Sequence, residues 1–291
     1  MSMPIAYCGY HTHTTFSDGK NTVEEMVQAI TRGMPAIGIS DHSDAPCDPS
    51  YCMKIPQYPA YLQEITRVKE KYADRIAVLA GMELDADSDL AITAKLDYFL
   101  GSVHYLIFDG RVYAIDHARD IQQACIDNEF GGNRLAFARS YFAEVVRHVR
   151  RCRPTIIGHF DVITKFGLMD ESDPAYQRIA TEALEQAVAV TPVLEVNTGG
   201  IARGWRTHPY PSDFLLRRLH ELGGQVVIVK NGEANVLSMH ISPYDKGNIF
   251  NHDPDRPKKL LLHKREIGKL YSLIKQDGYA LIPLSVYFKD A

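Results

Sequence analysis

Six short apolar runs punctuate the first three quarters of the chain, and each ends in polar or ionisable residues: IAYCGYHTH, AIGISDH, IAVLAGMELD, YFLGSVHY, TIIGHFD and PVLEVNTGG. Between several of them lie stretches of helical period, over residues 22–32, 58–72, 134–151 and 173–190. Strands that alternate with helices form parallel βα units, and hence a barrel or an open α/β sheet. In a (β/α) barrel the C-terminal strand ends share one face, where a site is assembled from several strands at once. This spacing predicts that His11, His13, His42, Glu83, His104 and His159 converge. A single histidine of this kind is more often a hydrogen-bonded core residue than a ligand. Four or five at equivalent strand ends are hard to assign to chance.

The residue types point to metal chemistry. Neutral imidazoles and carboxylates suit zinc, manganese or iron, and a glutamate bridges two ions through its two oxygens. His11 and His13 alternate by two, so in a regular strand both project from one face as a chelating pair. Glu83 is the natural bridge, His104 and His159 its neighbours, and Asp18 with His42 could take a further ion. Clustered divalent ions lower the pKa of a bridging water and neutralise charge on phosphoryl oxygens, which is the chemistry of phosphate-ester hydrolysis. No Walker loop, Gly-rich dinucleotide turn or GxSxG elbow competes with it.

At 291 residues the chain has room for one large barrel or two domains. No run approaches the roughly 18 apolar residues of a membrane helix. The start MSMPIAYCGYHTHT shows no secretory signal, so a cytoplasmic protein is expected. Cys8, Cys47, Cys52, Cys125 and Cys152 are odd in number and irregularly spaced, as reduced thiols would be. Cys47 and Cys52 follow His42 closely, but thiols with no role in a site are the commoner case. The net charge of −4 is uneven: residues 226–291 carry 10 Lys and Arg against 7 Asp and Glu, leaving 22 against 29 before them. An acidic body suits a site that concentrates divalent cations, and a basic tail suits a polyanion, although charge of this size is most often only solubilising.

The opening run His11-Thr-His13-Thr-Thr-Phe-Ser17-Asp18-Gly19 resembles the first motif of the polymerase-and-histidinol-phosphatase (PHP) superfamily. Its later motifs have counterparts in Ser40-Asp41-His42, Gly81-Met82-Glu83, Gly101-Ser102-Val103-His104 and Gly158-His159-Phe160-Asp161. The run Glu195-Val-Asn197-Thr198-Gly-Gly, with Arg203 and Tyr210-Pro211-Ser212, is most similar to the histidinol-phosphatase branch. That resemblance implies a distorted, TIM-like (β/α)7 barrel, two or three divalent ions (Zn, Mn or Fe) and hydrolysis of L-histidinol phosphate. It also implies roles: His11 and His13 on one ion, Glu83 bridging, His104 and His159 on the second, Asp18 and His42 on a third. Glu83 and His104 would share in catalysis, and Arg203 would grip the substrate phosphate with its planar fork, though an ordinary surface arginine reads almost as well. Asp161 and Asn197 would orient ligands or substrate. One departure is Asp18, where that branch often has a histidine.

Such a barrel should close on a strand ending in Ser-Asp-Ala-His. After a helical stretch over residues 214–222, the chain instead reads Val226-Val-Ile-Val-Lys-Asn231-Gly232-Glu233-Ala-Asn235, which puts Glu233 and Asn235 at the two ligand positions. Glutamate can replace aspartate there, but asparagine is a poor substitute for imidazole. Asn-Gly between apolar β runs is also the strongest short signal for a hairpin, which would leave the barrel without its final wall. From Val226 onward the chain resembles the central and later part of the SsrA-binding protein of trans-translation, through Met239-His240-Ile241-Ser242-Pro243-Tyr244, Asn251-His252-Asp253-Pro254 and Lys259-Leu-Leu-Leu-His263-Lys264-Arg265-Glu266. This family implies an oligonucleotide-binding-type β barrel whose cations meet RNA phosphates; Lys258, Lys259, Lys264 and Arg265 are the candidates, against a solvated helix start at residues 260–269. The family's opening strands have no counterpart before Val226, and its ending none after Ala291.

The expected organisation is therefore an incomplete PHP barrel over residues 1–225 and a truncated, β-rich segment over 226–291. Three readings follow: an impaired metal-dependent phosphatase, an RNA-binding translation-rescue protein, or a gene fusion without a joint function. No membrane partner is expected.

Overall fold

Parallel pairing runs through every strand at which the apolar runs end. The computed structural model describes residues 8–30, 36–48, 50–229, 235–236 and 258–259. It divides into one unit over Cys8–Val229 and another formed by Met1–Tyr7 and Lys230–Ala291. In the first unit the order is β1 (Cys8–Gly9), α1 (Val23–Ile30), β2 (Ala36–Ile39), α2 (Tyr58–Lys71), β3 (Ala77–Ala80), β4 (Glu83–Leu84), β5 (Leu100–Gly101), β6 (Tyr105–Phe108), β7 (Arg111–Ala114), α3 (Arg119–Phe130), α4 (Arg134–Cys152), β8 (Ile156–Ile157), α5 (Pro174–Val188), β9 (Val193–Asn197), α6 (Gly199–Ala202), α7 (Asp213–Glu221) and β10 (Gln225–Val229).

Local chemistry starts the helices where the sequence puts capping residues. Thr22 and Glu25 form a capping box ahead of α1, with the Glu25 carboxylate accepting from the Thr22 N–H at 2.8 Å. Asn133 accepts from the Ala136 N–H at the start of α4, and Asp173 from Ala175, with Pro174 in the first turn of α5. The apolar faces of α3, α4, α5 and α7 share one buried cluster, and those of α1 and α2 share another with β2.

Strands pair in parallel as β1-β2-β3 and as β10-β9-β8-β5-β4. β3 and β4 are one stave broken at Gly81-Met82: the Gly81 N–H donates to the Ile39 carbonyl at 2.7 Å and the Glu83 N–H to that of Asp41 at 3.1 Å. The two sheets thereby join into seven parallel staves, and β1 lies against β10, bringing the ends together as a distorted, TIM-like (β/α)7 barrel. The antiparallel hairpin β6–β7 and helix α3 fill one connection with structure that the alternation of runs does not announce.

The last stave differs from the hairpin expectation. Gln225 to Val229 pair in parallel with Val193 to Asn197, residue for residue, so VVIV is the seventh barrel strand and not the first arm of a hairpin. The Asn231-Gly232 turn and Glu233 lie outside the described residues. The wall is present, and the departure from the family pattern is confined to the residues after it, which read KNGEAN in place of a Ser-Asp-Ala-His ending. In the second unit, Asn235–Val236 and Lys258–Lys259 form an antiparallel pair. Among the described residues no helix is long and apolar enough to cross a membrane.

Tyr98 plugs the barrel below the site. Its ring packs with Tyr10, Ala36, Leu100 and Ile156, and its hydroxyl donates to the Tyr10 carbonyl. A Cβ on Gly38 would lie 2.1 Å from that hydroxyl, and one on Gly81 would lie 2.3 Å from the ring, so both strands need glycine to admit the tyrosine. Overpacking of this kind costs about 1–3 kcal/mol. Gly38→Ala should therefore lower the urea midpoint measurably with an unchanged m-value. An unaltered midpoint would mean that the Tyr98 ring is free to move aside.

Candidate metal centre

Glu83 sits at the end of the broken stave β3–β4, buried to 1 % exposure, and is the hub of the site. Three imidazole nitrogens surround its Oε2: His11 Nε2 at 3.0 Å, His42 Nδ1 at 3.1 Å and His13 Nε2 at 3.2 Å. Two more face its Oε1: His159 Nε2 at 3.1 Å and His104 Nε2 at 3.4 Å. Each comes from the end of a different apolar run, except His11 and His13, which share the loop after β1.

That loop is shaped by a residue that the motif reading named without giving it a role. The Asp41 carboxylate is fully buried and accepts from the Thr14 N–H and hydroxyl, both at 2.7 Å, and from the Ser17 hydroxyl. On the far side of Glu83, His148 of α4 donates its Nε2–H to the Leu84 carbonyl at 3.0 Å, tying the stave to the helix layer. Burial, only partly opposed by Asp85, holds His148 below its ordinary pKa, which suits a neutral donor.

Carboxylates back three of the five imidazoles from outside. Glu195 takes His11 Nδ1 at 2.8 Å, Asp18 takes His13 Nδ1 at 2.7 Å, and Asp85 takes His104 Nδ1 at 2.8 Å. An ionised carboxylate only accepts, so each Nδ1 carries a proton, and a ring that is neutral then turns its Nε2 lone pair toward Glu83. Lone pairs facing a carboxylate repel unless something positive lies between them. Two of these atoms, His13 Nε2 and Glu83 Oε2, are buried and have no hydrogen bond of acceptable geometry.

A divalent cation satisfies this donor set. Three groups have ligand atoms within 4.8 Å of one another: His11, His13 and Glu83; His13, Asp18 and His42; His42, Glu83 and His104. In the absence of an ion, protons must do the balancing. Burial disfavours charge on His11, but Glu195 and Glu83 outweigh it and hold its pKa well above the ordinary value; Glu83 and Asp85 do the same for His104. Burial, with His13 and His104 alongside, keeps His42 well below, against the pull of Glu83. Burial would raise Glu83, yet His11, His42 and His104 hold it well below the carboxylate range, and the His13 hydrogen bond brings Asp18 to about 2 against its own burial.

The structure thus brings together His11, His13, Asp18, His42, Glu83, His104 and His159. Asn197 is one residue removed, donating its Nδ2–H to Glu195 at 3.0 Å. Asp161 is buried beside the site but bonded to Ser212, whose N–H donates to Oδ2 at 3.0 Å and whose hydroxyl is shared with Glu171. Arg203 is exposed at the end of α6, where its charge is felt by Lys165, and it does not enter the buried cluster. Glu233, Lys264 and Arg265 lie outside the described residues, while Lys258 and Lys259 form a strand of the second unit. Cys47, Cys52, Cys125 and Cys152 are free thiols, and none belongs to the three ligand groups. Sequence reasoning missed Asp85 and the role of Glu195. The signal for Asp85 was its alternation with Glu83 in Glu83-Leu84-Asp85, and for Glu195 an acid in the middle of an apolar strand.

Comparison with known families bears on this geometry. The model of the PHP domain matches residues 9–199, which include all seven converging residues. The chain belongs to the PHP domain family. Two solved structures share its barrel: a Listeria monocytogenes protein assigned as a histidinol phosphatase (TM-score 0.64, 21% identity, 76% of this chain and 93% of that one) and a Lactococcus lactis histidinol phosphate phosphatase solved with zinc, L-histidinol and phosphate (TM-score 0.53, 20% identity, 78% and 88%). At that identity they show the fold. A second model, SmpB protein, matches residues 218–291. SsrA-binding proteins of Geotalea uraniireducens and Syntrophomonas wolfei are 61% and 65% identical over 69 and 63 residues, or 24% and 22% of this chain. The chain spans less than half of their length, 46% and 40%. It carries parts of two families, as a fusion does.

Metal uptake must expel the protons on His11 and His104. Without metal, the stability these two histidines contribute is present below about pH 6.5 and fades as pH rises through their raised folded-state values. Metal binding therefore strengthens with pH. Manganese or zinc at a hundredfold excess over Kd should stabilise the stripped protein by about 2.7 kcal/mol, roughly 5–11 °C in Tm. Differential scanning fluorimetry should show that gain shrinking toward pH 5 and vanishing in Glu83→Gln; an equal gain in that variant would remove Glu83 from the centre.

Proposed function

We propose that the barrel is a metal-dependent phosphoric monoester hydrolase with L-histidinol phosphate as substrate. The observation that carries this reading is the convergence of five imidazoles on one buried carboxylate, with carboxylates fixing the outward nitrogens of three. Its support in substrate is the family match, together with a fold shared with a protein solved with L-histidinol and phosphate. In this assignment His11 and His13 would hold one ion, His104 and His159 a second, and Asp18 with His42 a third, with Glu83 shared between them. Ions bound there supply Lewis acidity toward water and toward phosphoryl oxygen. The chain's own residues do the rest. Asp18, Asp85 and Glu195 keep the imidazoles in the ligating tautomer, and Asp85 fixes the ring of His104. Arg203, exposed on the rim, supplies a two-pronged donor to the phosphate oxygens, and Asp161 and Asn197 orient their neighbours.

By sequence position Glu233 is assigned the place of the final carboxylate ligand, while the final imidazole has no counterpart: Asn235 stands at its place in the sequence and pairs with Lys259 in the second unit. The amide lacks a ligating nitrogen, so turnover should be slow even with metal in excess. Phosphate release from L-histidinol phosphate with added manganese tests this: His13→Ala and His104→Ala should each lose about 10²-fold or more, as positioning errors at a reacting centre do. No turnover in the parent chain, with metal bound, would overturn the substrate assignment.

The SmpB match favours a second activity for residues 230–291, binding to the tRNA-like part of SsrA RNA through Lys258, Lys259, Lys264 and Arg265. Such binding should weaken steeply with salt and fall in a variant with the four cations neutralised. Filter binding that leaves the variant equal to the parent chain would remove this reading.

A further inference from the structure

Glu195 stands in the middle of β9 with a completely buried side chain. Its Oε1 accepts from His11 Nδ1 at 2.8 Å and from Asn197 Nδ2 at 3.0 Å, and its Oε2 accepts from the His159 backbone N–H at 3.0 Å. The two histidines it holds lie on opposite oxygens of Glu83: His11 Nε2 on Oε2 at 3.0 Å, His159 Nε2 on Oε1 at 3.1 Å. The other backing carboxylates differ in this respect. Asp18 serves the Oε2 side through His13, and Asp85 serves the Oε1 side through His104.

We infer that Glu195 is a positioning residue that couples the two halves of the metal centre, setting the ring of His11 and the backbone of His159 from a single rigid carboxylate. This rests on the metal reading given above. Three features make the carboxylate rigid. Asn197 is itself oriented by the Gly199 N–H, which donates to its Oδ1 at 2.7 Å, so its amide nitrogen must point at Glu195. The strand on either side is paired, with β8 at Leu194 and with β10 across Glu195 itself. The backbone just after β8 also meets the carboxylate directly, since the His159 N–H donates to Oε2 at 3.0 Å.

Charge and lone pairs both matter here. A carboxylate offers acceptors to all three donors, whereas a glutamine offers one acceptor oxygen and turns an N–H₂ toward a second donor. The isosteric change Glu195→Gln therefore disturbs His11 or His159, and through the shared side chain both. Among the imidazoles Asp85 bonds only His104, so Asp85→Asn disturbs one side of the centre.

The experiment is a manganese titration of the stripped full-length protein by isothermal calorimetry, with bound metal counted by elemental analysis, for the parent chain, Glu195→Gln, Glu195→Asp and Asp85→Asn. Far-UV circular dichroism and metal-free Tm establish that each variant is folded. Glu195→Gln should weaken every resolved binding step by tenfold or more, and Asp85→Asn should weaken one step and spare another. Glu195→Asp, which keeps the charge, should recover part of the loss. A folded Glu195→Gln with the parent isotherm, or with a single step affected, overturns the coupling. If Glu195→Gln does not fold, the same comparison in Glu195→Asp decides: both steps weakened supports the coupling, and one step or none overturns it. A parent chain that binds no manganese overturns the metal reading itself, an outcome distinct from failure of the variant.

Discussion

A buried, ionised glutamate is the constraint around which the barrel is arranged. Removing a carboxylate from water costs several kcal/mol unless opposite charge and donors surround it. Among the described residues Glu83 has no lysine or arginine against it, and the groups around it are imidazoles, each of which can be neutral or charged. The consequence spreads outward: imidazoles that must turn lone pairs inward need acceptors behind them, so Asp18, Asp85 and Glu195 follow from Glu83. Those acceptors need order of their own, which Asn197 and the paired strands supply. Asp41 meets the same need one layer away by folding the loop that carries His11 and His13. A cation between the lone pairs and Glu83 relieves the conflict at its centre.

The seventh stave is where the two families meet. Residues 218–229 fall inside the SmpB match, yet they end helix α7 and form β10 of the barrel. One strand cannot both close a parallel barrel and open an antiparallel hairpin. In this chain the barrel has it, because β9 and β1 would otherwise present open edges on either side of a polar site, and paired edges are far cheaper than bare ones. The aliphatic run VVIV suits either partner, since alternation and β-branching carry no information about strand direction.

Much of the site was legible in the linear chain for a simple reason. In a parallel barrel, sequence position along a strand maps directly onto height in the barrel, so His11, His42, Glu83, His104 and His159 could be placed on one face without knowing any contact. Asp18 was legible through its motif. The residues that escaped are those whose role depends on a neighbour distant in the chain: Asp41 on Thr14, Asp85 on the ring of His104, Glu195 on His11, which lies 184 residues away. Helices α1, α2, α4, α5 and α7 were announced by their helical period, but α3 and the β6–β7 hairpin were hidden in a connection whose weak amphipathicity carries no clear period.

The sequence by itself determined which histidines and acids converge, the alternating architecture and the presence of two unrelated signatures. These follow from residue type and spacing, which are local properties. Tertiary structure decided the direction of the last strand and the pairing of each imidazole with its carboxylate. The hairpin signal at Asn231-Gly232 is local and worth little against the edges of two waiting strands, and the ownership of a hydrogen bond between β1 and β9 exists only once the barrel has closed.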